Sequence, residues 1–233
     1  RKESSAASDV YKRQLQSVFK KYSQVRLDSG LTGREVAERM LMENGLTDVR
    51  VLSTRGKLTD HYNPLDKTIN LSESVYNSNS VMAAAVAAHE TGHALQHAMG
   101  YAPLKMRSAL VPVVQFSSSI VNIVLIAGIL LLNVFPKLLL AGIILFGVTT
   151  LFSIITLPVE VDASRRALAW LERSRVTSYE QQPKASKALR AAAYTYFAAA
   201  IGSIATLLYY LTIYSSRRSV SYTHLTLPTT PYV

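Results

Sequence analysis

The sequence predicts a mainly α membrane protein, in which a polar helical domain with a small β-hairpin is joined to three transmembrane helices. Two observations predict it. Charge and apolar sequence are segregated along the chain: residues 108–136, 138–159 and 191–216 contain no Asp, Glu, Lys or Arg, and each run exceeds the roughly 20 residues that a membrane-spanning helix needs at 1.5 Å rise per residue. Three such runs in a chain of 233 residues also leave too little polar sequence to bury them as core helices of a soluble domain. The formal net charge of +10 suits either nucleic acid or an anionic membrane surface. The segregation decides for a lipid bilayer as partner, with no nucleic acid. The absence of cysteine excludes disulfides and thiolate metal sites and suits a cytoplasm-facing protein. Composition is silent on oligomeric state.

The ends are set apart first. Ser4–Gln14 (SSAASDVYKRQ) and Val220–Thr229 (VSYTHLTLPT) read as translations of one oligonucleotide and of its reverse complement, which resembles the adaptor of transposase-based sequencing libraries. Residues 1–14 and 219–233 are therefore expected to be adaptor artefact and are left out of the fold reasoning.

The remaining elements follow in order. In SGLTGREVAERMLMENGL, Thr32 is placed as N-cap, Val36, Met40 and Leu41 form an apolar face, and Gly45 suits the C′ stop, so a helix is expected here. Residues 48–53 and 67–72 alternate as strands do, around a Gly-, Asp-, Asn- and Pro-containing connection. The second of these strands is expected to hold an extended substrate by edge pairing. An alanine-rich helix then runs from about Ser80 to Met99 and closes at Gly100. Residues 108–159 read as a transmembrane hairpin turning at NVFPK, 160–190 as a charged segment, and 191–216 as a third transmembrane helix. A hairpin returns the chain to the side it left, which puts 15–107 and 160–190 on one face. Lys105, Arg107, Arg165 and Arg166 flank that side against Lys137 alone in the turn, so that face is expected to be cytoplasmic.

Within the alanine-rich helix, AAHETGHALQH places His89 and His93 four residues apart, hence on one helix face and able to offer two imidazoles to one metal ion. Glu90 lies about 100° round the helix from His89, where it reaches a metal-bound water instead of the metal. Neutral imidazoles, an open position for water and a base that is not a ligand are what catalytic zinc requires. Zn2+ is therefore the expected cofactor of a zinc-site domain at 15–107. Such a zinc has three protein ligands. His97 is one turn too far from His89 and reads as a neighbour of the site or as surface. Glu160, the first charge after the second apolar run, is the better third ligand, which makes 160–190 the third-ligand segment; Asp162 is its rival. Asp60, His61 and Tyr62 read as a turn carrying a packed aromatic, with His61 also a possible partner of the ligands.

Together, FKKYSQVRLDSGLTGREVA, LTDHYNPLDKTINLSESVY, AAHETGHALQHAMGYAPLKMRSALVP and LPVEVDASRRAL resemble the bacterial neutral zinc metallopeptidases of the YugP type, membrane-anchored HExxH proteins. The resemblance implies His89 and His93 as ligands, Glu90 as general base, Glu160 as third ligand, and an N-terminal span preceding this fragment. The layout is similar to that of glutamate-zincin membrane proteases, in which an aspartate follows the ligand glutamate by four residues. Here that position is Ser164, which puts a carboxylate contact to histidine in doubt. The expected function is a membrane-embedded zinc endopeptidase acting on a protein or peptide substrate. The alternative is a non-catalytic membrane scaffold or chaperone-like protein whose HExxH is structural or inactive.

Overall fold

The computed structural model describes residues 2–223. Of the second adaptor-like stretch, residues 224–229 lie outside the described residues. In chain order the elements are α1 (Lys2–Ser23), α2 (Gly33–Glu43), β1 (Arg50–Thr54), β2 (His61–Asn63), β3 (Thr68–Ser72), α3 (Glu73–Tyr76), α4 (Val81–Ala98), α5 (Ala102–Leu130), α6 (Pro136–Arg173) and α7 (Gln182–Thr223). The chain is thus mainly α with one small sheet, and α5, α6 and α7 are long and apolar enough to cross a membrane.

Helix α2 begins and ends where its local chemistry dictates. The Thr32 side chain accepts from the Glu35 backbone N–H, and the Glu35 carboxylate accepts from the Thr32 N–H at 2.8 Å. This reciprocal capping box satisfies donors that the first turn leaves unpaired. At the other end Gly45 takes φ +73, a left-handed conformation that costs glycine little. Val36, Met40 and Leu41 are all buried, as the apolar face requires.

The sheet differs from the expected pairing. Its order is β1-β3-β2. β1 runs parallel to β3, Arg50 opposite Thr68, and the hairpin is formed by β2 and β3, Asn63 opposite Thr68. A third strand, three residues long, thus lies inside what reads as a turn. β3 therefore has a neighbour on each side, and extended peptide cannot add to it; the free edges belong to β1 and β2.

The chain clusters into two compact units. The first collects the described residues up to Ser108 together with Ile155–Ala199. Its core joins Val36 and Met40 of α2, Ile69 and Leu71 of β3, Val81, Ala84 and Ala88 of α4, and Trp170 and Leu171 of α6. Burying each of the larger aliphatic side chains contributes about 1.5–3 kcal/mol. Polar clasps fix the later segment to the earlier one: Trp170 Nε1 donates to Glu43 at 2.8 Å, and Gln181 Nε2 donates to the Arg26 carbonyl at 2.9 Å.

The second unit collects Ala109–Ile154 with the described residues from Ala200 onward. Val121, Leu125, Leu139, Ile143 and Tyr210 form its small core. A Cβ at Gly128 would come within 2.6 Å of Leu139 Cα, so the first two apolar helices pack backbone to backbone there, as small residues allow in membranes.

Candidate metal centre

Three side chains from two helices converge within the first unit. Ser80 caps α4 by accepting from the Ala83 N–H, and a run of small buried alanines lets the helix lie in the core. The helix thereby presents His89 and His93 on one face, their rings edge to face with centroids 4.7 Å apart. Glu160 comes from α6, two residues after Pro158, which lacks an N–H and so omits one helical hydrogen bond.

What lets the helices meet is Gly92. A Cβ at this position would lie 2.7 Å from the Ala163 carbonyl oxygen. Smallness at 92 thus serves a helix contact. Glu160 Oε2 lies 3.1 Å from His89 Nε2 and 3.6 Å from His93 Nε2, and the three residues form a group able to hold a metal ion. Tetrahedral zinc with ligand bonds of about 2.0–2.1 Å separates its ligand atoms by roughly 3.3–3.4 Å. Observed spacings fall on either side of that value, and two imidazoles with one carboxylate are a donor set that catalytic zinc uses. The residues present therefore fit the metal.

Around this group each donor is held from behind. Ser164 Oγ lies 3.1 Å from His89 Nδ1, so the position following Glu160 by four does reach a histidine, with a hydroxyl in place of a carboxylate. Gln96 Oε1 lies 3.0 Å from His93 Nδ1. Arg107 Nη1 donates to Glu160 Oε1 at 3.2 Å, leaving Oε2 toward the imidazoles, and Tyr196 faces the same carboxylate. Burial is the largest influence on the His93 imidazole and pulls its pKa down; the Glu160 hydrogen bond and the charge of Glu90 outweigh it, for a net shift upward from the ordinary value. Glu160 thus favours a proton on the His93 ring that faces it.

Glu90 is buried, close enough to influence His93, and stands outside the group of three donors. Asp162 is also outside it. Its carboxylate accepts from Arg165 and Arg166 at 2.6 Å each and from Gln96 Nε2 at 2.9 Å. His97 Nδ1 meets the Tyr62 hydroxyl at 2.8 Å, which ties β2 to the end of α4. His61 is exposed and its ring bonds the Thr59 carbonyl, while Asp60 accepts from the Ser72 N–H and hydroxyl. That stretch is a turn and short strand with Tyr62 packed beneath it.

Sequence reasoning missed Gln96, Arg107 and Tyr196. For Gln96 a signal existed: it lies seven residues after His89, on the same apolar face, where a buried amide must find partners.

Apolar helices of spanning length and a buried group able to hold a metal ion define the class as a membrane protein with a candidate metal centre. Comparison carries the class further. Residues 6–215 match the family described as "Putative neutral zinc metallopeptidase", and the chain belongs to that family. It is 43% identical over 204 residues to the "Putative membrane protease YugP" of Bacillus subtilis (strain 168), an alignment covering 88% of this chain and 90% of that protein. No solved structure matches.

Proposed function

We propose that the chain is a membrane-embedded, zinc-dependent endopeptidase in which His89, His93 and Glu160 hold the metal and Glu90 is the general base. The observation that carries this reading is the convergence of the two imidazoles and Glu160 Oε2 at 3.1 and 3.6 Å, with Glu90 on the next helical position but outside the set. Zinc, when bound, supplies Lewis acidity toward the scissile carbonyl and lowers the pKa of water. Glu90 takes the proton of the attacking water and returns it to the leaving amine. Arg107 steadies the far oxygen of Glu160, and Ser164 and Gln96 steady the histidine rings.

Two glutamate variants test the division of labour. Glu160→Gln should lose zinc and activity together. Glu90→Gln should keep zinc and lose about 10²–10⁴-fold in peptide cleavage. A Glu90→Gln protein that cleaves as fast as its parent would leave the scaffold reading in place.

We place the site on the cytoplasmic face, because Lys105, Arg107, Arg165 and Arg166 flank the apolar helices on the site's side. Single cysteines introduced at Ser53 and Ser174 should both resist an impermeant thiol reagent in intact cells; labelling of either refutes this orientation.

A further inference from the structure

Gln96 is fully buried, yet it is neither a ligand nor an acid or base, and its amide makes three hydrogen bonds. Nε2 donates to the Val159 carbonyl at 2.9 Å and to Asp162 Oδ2 at 2.9 Å. Both partners are acceptors only, since Asp162 is itself held as a carboxylate by Arg165 and Arg166, and a carbonyl and a carboxylate cannot donate. The two N–H groups of the amide are thereby assigned, and its orientation is no longer free to flip. Oε1 must then be the atom facing His93 Nδ1 at 3.0 Å. An amide oxygen accepts, so Nδ1 must carry a proton, and in the neutral ring that a metal ligand requires Nε2 then carries the lone pair. That nitrogen is the one turned toward Glu160 Oε2.

From this chain of constraints we propose that Gln96 is a positioning residue which sets the tautomer and ring orientation of His93 for metal binding, and that Asp162 acts on His93 only through it. The proposal rests on the zinc-site reading above. The relay has a second effect. Val159 and Asp162 flank Glu160 on α6, so one amide grips the helix carrying the third donor on both sides of that donor while fixing a donor of α4. Orientation of His93 and placement of Glu160 become a single condition, which Ser164 at His89 does not provide, because a hydroxyl can either donate or accept.

Partners that orient a ligand histidine typically contribute 10–100-fold in metal affinity. In full-length, detergent-solubilised protein, Gln96→Leu should therefore bind zinc about 10–100-fold more weakly in competition with a chelator. Gln96→Met keeps the volume and flexibility of the side chain but offers His93 no amide oxygen, and should lose as much affinity as Gln96→Leu. A loss through packing alone would be recovered by the volume-matched methionine. NMR of isotope-labelled histidine in the cadmium-loaded parent gives a reading that needs no variant: cadmium should couple to His93 Nε2, with a proton retained on Nδ1. Cadmium coupled to Nδ1, or zinc binding by Gln96→Leu equal to the parent's, overturns the proposal alone. A parent that binds no zinc overturns both the proposal and the reading beneath it.

Discussion

The two units handle apolar sequence in opposite ways. In the first, the large aliphatic side chains are inside: Val36, Met40, Ile69 and Leu71 are each fully buried. In the second, comparable side chains point outward, with Ile123 70% and Leu130 77% exposed. The polar groups are reversed as well. The first unit encloses Glu90, His93, Gln96, Glu160 and Asp162, whereas the second, among its described residues, encloses hydroxyls such as Ser117 and Thr150 and no charged side chain. A chain in water that exposed so much apolar helix surface would aggregate, so the second unit is dressed for lipid and the first for water. The difference teaches where each kind of chemistry can sit: the donors are assembled in the unit that holds a buried polar network, in which Gln96 joins His93 to Asp162.

Substitutions can break this comparison or sharpen it, beginning with the largest effect. Gly92→Ala places a methyl 2.7 Å from a backbone oxygen, a contact that only separation of α4 from α6 relieves. Because a shift near 1 Å at a catalytic constellation costs about 10²-fold, peptide cleavage should fall at least that far and zinc retention with it. Full zinc content after dialysis would show that the close approach is not what assembles the site. Next, Met40→Ala should lower the stability of the first unit by about 2–5 kcal/mol, the range for emptying a packed core position. The matching truncation in the second unit, Ile123→Ala, should stay within about 0.5 kcal/mol in detergent, as for other exposed positions. Equal losses in denaturant titrations of the two variants would erase the contrast between the units.

Much of the helical architecture was legible in the sequence, because its signals are local. Thr32 and Gly45 announce both ends of α2 within one short segment, and the pair His89–His93 needs only the helical period to be recognised. The three spans are legible because their residues repeat one property without interruption. The sheet was less so. β2 has three residues, too few for alternation to register, and it lies among turn formers; which strand pairs with which depends on partners far along the chain. The same limit applies to the site. Glu160 could be found because the charge-free run ends on it, but Arg107 and Tyr196 meet it only through tertiary packing, and no periodicity in their own helices marks them. Ser164 shows the converse: its place in the order was visible, and only the geometry revealed that a hydroxyl reaches His89 from there.

The sheet order carries one more consequence, for the sequence of events in folding. Asn63 finds Thr68 across a short turn, whereas Arg50 must find the same Thr68 with the whole of β2 looped out between them. Closing the longer loop costs more chain entropy before any pairing repays it. The β2–β3 hairpin should therefore form early, tethered to α4 through Tyr62 and His97, and β1 should dock last and detach first. Amide exchange can follow this directly: protons of Arg50 and Leu52, which face β3, should be lost sooner than those of Asn63 and Thr68, which face each other, and the reverse order would mean that the parallel pair nucleates the sheet.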